Sequence, residues 1–498
     1  MDFDVLLFLS LAPFIIFLFL LLWKRLSLFW VSLITLLLFV ILSVMIWKTY
    51  PVYIVGSLVK GFLVALDIFF IIFGAIFFLE ILKSLDIIRN ICFRLESLSK
   101  DHRIQVIFLA WLFENFLEGT AGFGTPSTVV APLLVGIGLT PITAVIISLL
   151  GNSASVVFGA AGTPIRVGYS ELATQALPLW AAVYNLIGFI VPVFMLWMVT
   201  AKENNRRQQF REGLPFAIWT GIAFSASSVL MVFLGQEFPS ILGSVMAIFL
   251  VLITTKLKIF VPKTVEDPHP FSNPEKLLPL GRVILPYGLL ILLLILGKIF
   301  LGSSSIAVPL IIKHSISLFN PGFFFILVGL FIAIVFHNGT NILSRSCKTA
   351  IRGSTEPFLV IAFMSGVAQL MIYSGRNMSG FSSMLEIIAL GFKNGLLPLW
   401  APIIGAFGSF ITGSATVSNL MFGNILAMVA GDVGLNISKI LALALVGAAA
   451  GNMIALADMM AAEAVVGLKN MEVKVLKGVI VPCLIYVLIV GLAGLLTV

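Results

Sequence analysis

Apolar runs long enough to form a bilayer-spanning helix, about 20 residues each, recur along this 498-residue chain from one end to the other. That repetition leaves no room for a soluble domain of useful size. Composition agrees: 60% of the residues are hydrophobic and 10% charged, against roughly 45–50% and about 25% in soluble domains. Candidate spans cover 5–23, 26–47, 52–80, 140–164, 177–200, 214–234, 240–256, 283–301, 321–337, 357–373, 436–460 and 478–497. Two further apolar stretches, 106–138 and 398–430, are interrupted near the middle by Gly, Ser and Thr, and are expected to be pairs of half-helices. The opening MDFDVLLF carries two acids where a secretory signal would carry bases, so 5–23 is expected as a retained first span.

Charge distribution decides between topologies. If both interrupted stretches are re-entrant, the loops 24–25, 83–105, 201–213, 256–282, 338–356 and 469–477 share one side and hold 22 of the 30 Lys and Arg residues. By the positive-inside rule that side is cytoplasmic, and both termini lie outside. A full crossing by either stretch would switch the later loops and largely erase the bias. The two hairpins then enter from opposite sides, which is the mark of an inverted-topology repeat. Sequence similarity supports the repeat: FLEGTA at 116–121 resembles FITGSA at 410–415, and each is followed by an apolar helix, a turn, another helix and a Gly-Asn pair, Gly151-Asn152 and Gly451-Asn452. The expected architecture is an all-α polytopic membrane protein with about twelve transmembrane helices plus two re-entrant hairpins. Residues 1–213 form the first half, with hairpin 106–138 and broken helix 140–164. Residues 214–282 connect the halves, and 283–498 form the second, with hairpin 398–430 and broken helix 436–460.

Several function classes are set aside by what the chain contains. The net charge of +8 reflects cytoplasmic loops rather than a nucleic-acid surface. Cys92, Cys347 and Cys483 are too scattered for a disulfide framework or a metal site, and His102, His269, His314 and His337 are isolated. No phosphate-binding G-x-x-x-x-G-K-[ST] loop is present, and no convergent His/Asp/Ser set suggests an enzyme. No cofactor, catalytic residue or metal is expected. A channel would need a pore ringed by charges or carbonyls, and paired broken helices suit alternating access better.

Breaks in membrane helices survive only inside protein or beside water, because freed backbone groups cost several kcal/mol each in lipid. Half-helix N-termini offer free N–H donors and about +0.5 charge, so two tips meeting near the midplane make an anion site. Candidate substrate contacts are Gly119, Thr120, Gly122, Gly124, Thr125 and Ser127 in tip one, and Gly413, Ser414, Thr416, Ser418 and Asn419 in tip two. Asn152 and Asn452 at the helix breaks join them, with GNSASVVFGAAGTP (151–164) and GNMIALAD (451–458) lining the same cavity. The competing structural reading is that small residues here simply let helices pack closely. Among intramembrane charges, Glu118 and Asp458 are candidates for proton coupling, with Glu114 one turn from Glu118 on the same helical face. Arg166 is a candidate partner for a substrate carboxylate, or alternatively for Glu171, and Asp67 and Glu80 suit scaffold or headgroup contacts.

These motifs carry a resemblance. EGTAGFGTP, NSASVVFGAAGTPI, AQLMIYSG, GSFITGSATVSNLMFG and GNMIALAD followed by EAVVGL resemble the lactate permease family, in the family's order and over most of the chain. The resemblance implies a plasma-membrane secondary transporter (in bacteria, of the inner membrane) that takes up lactate, and glycolate, with protons. It also implies kinship with ion transporters built of inverted repeats and moving in an elevator-like way, with a mobile unit, a scaffold and a homodimer contact on that scaffold. Departures fall at Ala415, Arg166 and Leu456-Ala457-Asp458, where members usually carry more polar or smaller residues. A sodium-coupled carrier of another small organic anion is the alternative. For proton coupling, burial would disfavour the charged form of Glu118, so that it takes up a proton together with the anion.

Overall fold

The computed structural model describes every residue except 1, 23–25, 97–98, 100, 123, 171, 173, 203–204, 264–276, 303, 309–310, 313, 337–338, 392–395 and 470. Among the described residues, ten helical segments are long and apolar enough to cross a bilayer: Leu28–Met45, Pro51–Ser84, Pro141–Arg166, Ala176–Val199, Arg206–Leu234, Pro239–Lys256, Leu280–Leu301, Asn341–Tyr373, Ile437–Val465 and Glu472–Thr497. Phe3–Leu22 and the shorter Pro321–Val335 stand where two further spans are expected. The chain is thus a helical, multi-pass membrane protein. Proline begins many of these helices (Pro51, Pro141, Pro239, Pro321), where its missing N–H costs nothing.

Both interrupted stretches form helix–turn–helix units. The first runs through His102–Ile107, a π-helical Phe108–Phe113 and Glu114–Thr120 to a turn, then returns as Thr125–Gly136. The second runs Leu397–Thr412, turns at Gly413–Ser414, and returns as Ala415–Asp432. Gly413 adopts φ +68, and the Ser414 side chain accepts the Val417 N–H to cap the returning helix.

Small residues set the helix crossings, as expected where lipid gives helices no hydrophobic reason to associate. A methyl group at Gly447 or Gly451 would strike the backbone of Pro402 or Ala406, so Ile437–Asn452 lies directly on Leu397–Thr412. Likewise Gly61 meets Gly366 and Gly74 meets Gly322, seating Pro51–Ser84 against Gly339–Tyr373 and Pro321–Val335. Buried apolar side chains fall into two clusters. One unites the first hairpin, the interrupted helices and the segments between 176 and 256. The other joins Phe3–Leu22, Leu28–Met45, parts of the two long helices and the Val417–Met421 face of the second hairpin.

Three features depart from the sequence expectations. Residues 339–356, expected as loop, are helical and continuous with 357–373, so that Gly339–Tyr373 spans 35 residues despite Pro357. Short helices Ile87–Glu96 and Met384–Gly391 precede the two hairpins. The fold is not purely α-helical, since Ser305–Val308 pairs antiparallel with His314–Ser317 in a small ribbon.

A cleft between two hairpin tips and two broken helices

Four interruptions of the chain converge on one cleft. Its walls are Glu118, Gly122 and Gly124 of the first tip; Val156, Gly159, Ala160, Thr163 and Pro164 of the first broken helix; Gly413, Ser414, Ala415 and Thr416 of the second tip; and Asn452 of the second broken helix. Segments almost 300 residues apart in sequence meet here. The space is about 20 Å³, close to the roughly 10–15 Å³ that one water requires.

The first broken helix is the most distorted wall. After Pro141–Gly151 the chain passes through a 3-10 turn at Ala154–Phe158, then through three successive left-handed residues: Ala160 (φ 41), Ala161 (φ 52) and Gly162 (φ 77). Two of these are alanines, each costing about 1–2 kcal/mol in that region, and such strain collects at functional sites. The second broken helix is milder: Ile437–Asn452 gives way at Met453–Ala455 to Leu456–Val465.

Glu118 is buried, and one carboxylate oxygen lies where a side chain on Gly159 would stand. Its Oε2 has no hydrogen-bond partner; Asn152 stands beside it short of hydrogen-bond geometry, and Asp458 lies close enough to be felt electrostatically. Asp458 presses its carboxylate against Gly124 (φ +70), at the position a Cβ would take, and accepts a hydrogen bond from Asn452 Nδ2 at 2.9 Å. Glu114, fully buried, accepts hydrogen bonds from Ser127 Oγ at 3.0 Å and Ser148 Oγ at 2.8 Å, which tie the hairpin's arms to the first broken helix. Among the described residues no Lys, Arg or His lines the cleft.

Other candidates from the sequence sit around the cleft rather than on its walls. Gly119 packs on the backbone at Ser240–Ile241. Thr120 returns its hydroxyl to the Phe116 and Leu117 carbonyls, and Thr125 closes the tip by donating to Gly122 O at 2.7 Å. Ser418 donates to Gly405 O at 3.0 Å across the second hairpin, and Asn419 Nδ2 donates to Pro164 O at 3.0 Å, joining that hairpin to the first broken helix. Arg166 turns away: its guanidinium lies 3.6 Å from Asp67 and over the Phe319 ring. Glu171, its other suggested partner, lies outside the described residues. Thr163, Gly159 and Val156 were not singled out individually, although the stretch holding them was.

A multi-pass helical protein whose polar groups gather at chain breaks has the build of a membrane carrier. The comparisons with known proteins specify which. The chain belongs to the L-lactate permease family, whose pattern it matches over residues 7–301 and 292–498. Members of this family are transporters, not enzymes. A Haemophilus influenzae protein is 28% identical over 85% of this chain and 86% of its own length. The L-lactate permease of Escherichia coli K12 is 27% identical over 88% of this chain and 85% of its own. That of Bacillus subtilis is 27% identical over 93% and 90%.

Proposed function

We propose that this protein takes up lactate, or a similar 2-hydroxy monocarboxylate such as glycolate, across the bacterial inner membrane by proton symport. The observation carrying this reading is the convergence of both hairpin tips and both broken helices on one cleft that contains Glu118 and, among the described residues, no cationic side chain. The substrate carboxylate meets N–H groups at the second arms of the hairpins, and its hydroxyl meets Ser414, Thr416 or Asn452. The relatives' name, L-lactate permease, supports the substrate class.

In this reading the hairpins are re-entrant and oppositely oriented, and the halves 1–213 and 283–498 form an inverted repeat joined by 214–282. The hairpins and broken helices move as one elevator-like unit against a scaffold that carries a homodimer contact. The small cleft supports movement, because about 20 Å³ is less than a three-carbon acid occupies, so the tips must part to admit it.

One proton carried with one monovalent anion moves no net charge. Membrane potential, which acts by about 2.3 kcal/mol per charge per 100 mV, then leaves uptake unchanged while a pH gradient drives it. Purified protein in liposomes tests this with labelled lactate. Glu118→Gln is expected to keep lactate exchange and lose proton-driven accumulation. Accumulation by a well-folded Glu118→Gln protein would remove Glu118 as the proton carrier, and accumulation that follows a sodium gradient at constant pH would replace the proton by sodium.

A further inference from the structure

A second and much larger cavity, about 990 Å³, opens at the end of the molecule that carries the basic segments, and shares no lining residue with the Glu118 cleft. It lies between the base of the first hairpin, the start of Pro141–Gly151, the end of Val191–Val199 and the first turns of Glu472–Thr497. We propose that it binds an anionic phospholipid of the cytoplasmic leaflet, with the headgroup at Lys477 and Arg206 and the acyl chains along Phe194, Trp197 and Val481.

The lining is amphipathic in the sense a lipid requires. Phe194, Trp197 and Val481 are apolar, whereas Thr140, Thr143 and Lys477 supply polar atoms. Lys477 is exposed, and among the described residues no carboxylate pairs with it. The guanidinium of Arg206 stacks over the Trp197 ring at 5.0 Å, and Trp197 is half exposed. An aromatic ring capped by a basic side chain belongs at a headgroup boundary. The hydroxyls of Thr140 and Thr143 lie 2.8 Å apart at the N-terminus of Pro141–Gly151, an end that favours anions. Arg207 and Arg211 continue the basic run on the helix that contributes Phe210 to the lining. Basic pockets between helices on the cytoplasmic side suit anionic headgroups, whereas a small soluble acid would leave the apolar part of this lining uncovered. The cavity touches His102 and Gly138 at the two ends of the first hairpin, so a bound lipid would bear on how that hairpin moves.

The test uses delipidated, purified full-length protein, titrated with phosphatidylglycerol or phosphatidylcholine and read by native mass spectrometry and thermal melting. Phosphatidylglycerol is expected to bind and raise the melting temperature where phosphatidylcholine does not. Each basic side chain near an anionic headgroup contributes about five-fold in affinity, so the Lys477→Gln/Arg206→Gln double variant loses about 25-fold, while Lys477→Arg retains binding. Lys348→Gln/Arg352→Gln removes equal charge from a basic segment away from the cavity and is expected to leave binding unchanged. Equal binding of both lipids, equal loss in the two double variants, or the same melting shift from glycerol phosphate or lactate would each overturn the proposal.

Discussion

Gly124→Ala is the sharpest perturbation of the first tip. Gly124 sits at φ +70, where alanine costs about 1–2 kcal/mol. An alanine methyl would also occupy the place of an Asp458 carboxylate oxygen, so Asp458 must move and stretch its 2.9 Å bond to Asn452. Hydrogen bonds to charged groups are worth roughly 1.5–3 kcal/mol. Taking the lower half of each range, the closed tip is penalised by about 3 kcal/mol, roughly a hundred-fold in an equilibrium constant. If tip closure over the substrate uses this arrangement, counterflow at low lactate falls by about that factor while the protein remains folded. Asp458→Ala alone removes the hydrogen bond and the charge that Glu118 feels. Adding Gly124→Ala to it then costs only the backbone strain, about five- to thirty-fold. Uptake by Gly124→Ala within two-fold of the parent protein, or strictly additive effects of the two substitutions, would refute the reasoning.

Glu114→Ala strands the Ser127 hydroxyl, at about 1–3 kcal/mol, and leaves the Ser148 hydroxyl only its longer 3.3 Å bond to Ser127 O; the melting temperature should fall clearly, and Glu114→Gln, which keeps an acceptor oxygen, should lose less. Equal melting of the two variants would show that those bonds carry no stability. Asn419→Leu removes the link to Pro164 O, so lactate affinity should drop by roughly five-fold or more as the second hairpin loses its register on the first broken helix; an unchanged concentration dependence would count against that role. Asp67→Asn leaves Arg166 without its 3.6 Å counter-charge, a loss of at most about 3 kcal/mol because Asp67 is partly exposed, and the swapped pair Asp67→Arg/Arg166→Asp should recover part of the melting temperature. Single cysteines at Thr120 and Ser414 should respond to reagents from opposite sides if the hairpins are inverted, whereas reaction from one side in every state would refute the arrangement.

The hairpin breaks were readable because Gly, Ser and Thr cluster there near the middle of two long apolar runs, and the turns fall between Thr120 and Thr125 and at Gly413–Ser414. The helix over 339–356 was not readable: Arg345, Lys348 and Arg352 mark a segment outside lipid, and Pro357 suggests a start, but neither prevents helix in water at the end of a long span. Which residues face the cleft was only partly legible. A helical wheel assumes a constant phase, and the π-helical Phe108–Phe113 and 3-10 Ala154–Phe158 shift that phase just before the site residues. Thr120, two residues and so about 200° round the helix from Glu118, hydrogen-bonds its own helix while Glu118 faces the cleft. Partnerships such as Asn419 with Pro164, 255 residues apart, leave no local trace.

Charge bookkeeping at the cleft leads from this geometry to coupling. Three carboxyl groups are buried here, with Glu118 within electrostatic reach of both Glu114 and Asp458, and no cationic side chain lines the cleft among the described residues. Arg166, the basic residue at the end of the first broken helix, faces Asp67 instead. The nearest fixed positive potential comes from the N-termini of Thr125–Gly136 and Ala415–Asp432, whose caps Gly124 and Ser414 both line the cleft. Two such ends amount to about one positive charge, and the Asp458 carboxyl pressed against Gly124 already draws on one of them. Nothing fixed is left over for Glu118, and two like charges 4 Å apart repel by about 4 kcal/mol at an effective dielectric of 20. Under the proposed proton symport, Glu118 would bring its own positive charge with the anion, as a proton on the unpartnered Oε2, the smallest cation so tight a space could take.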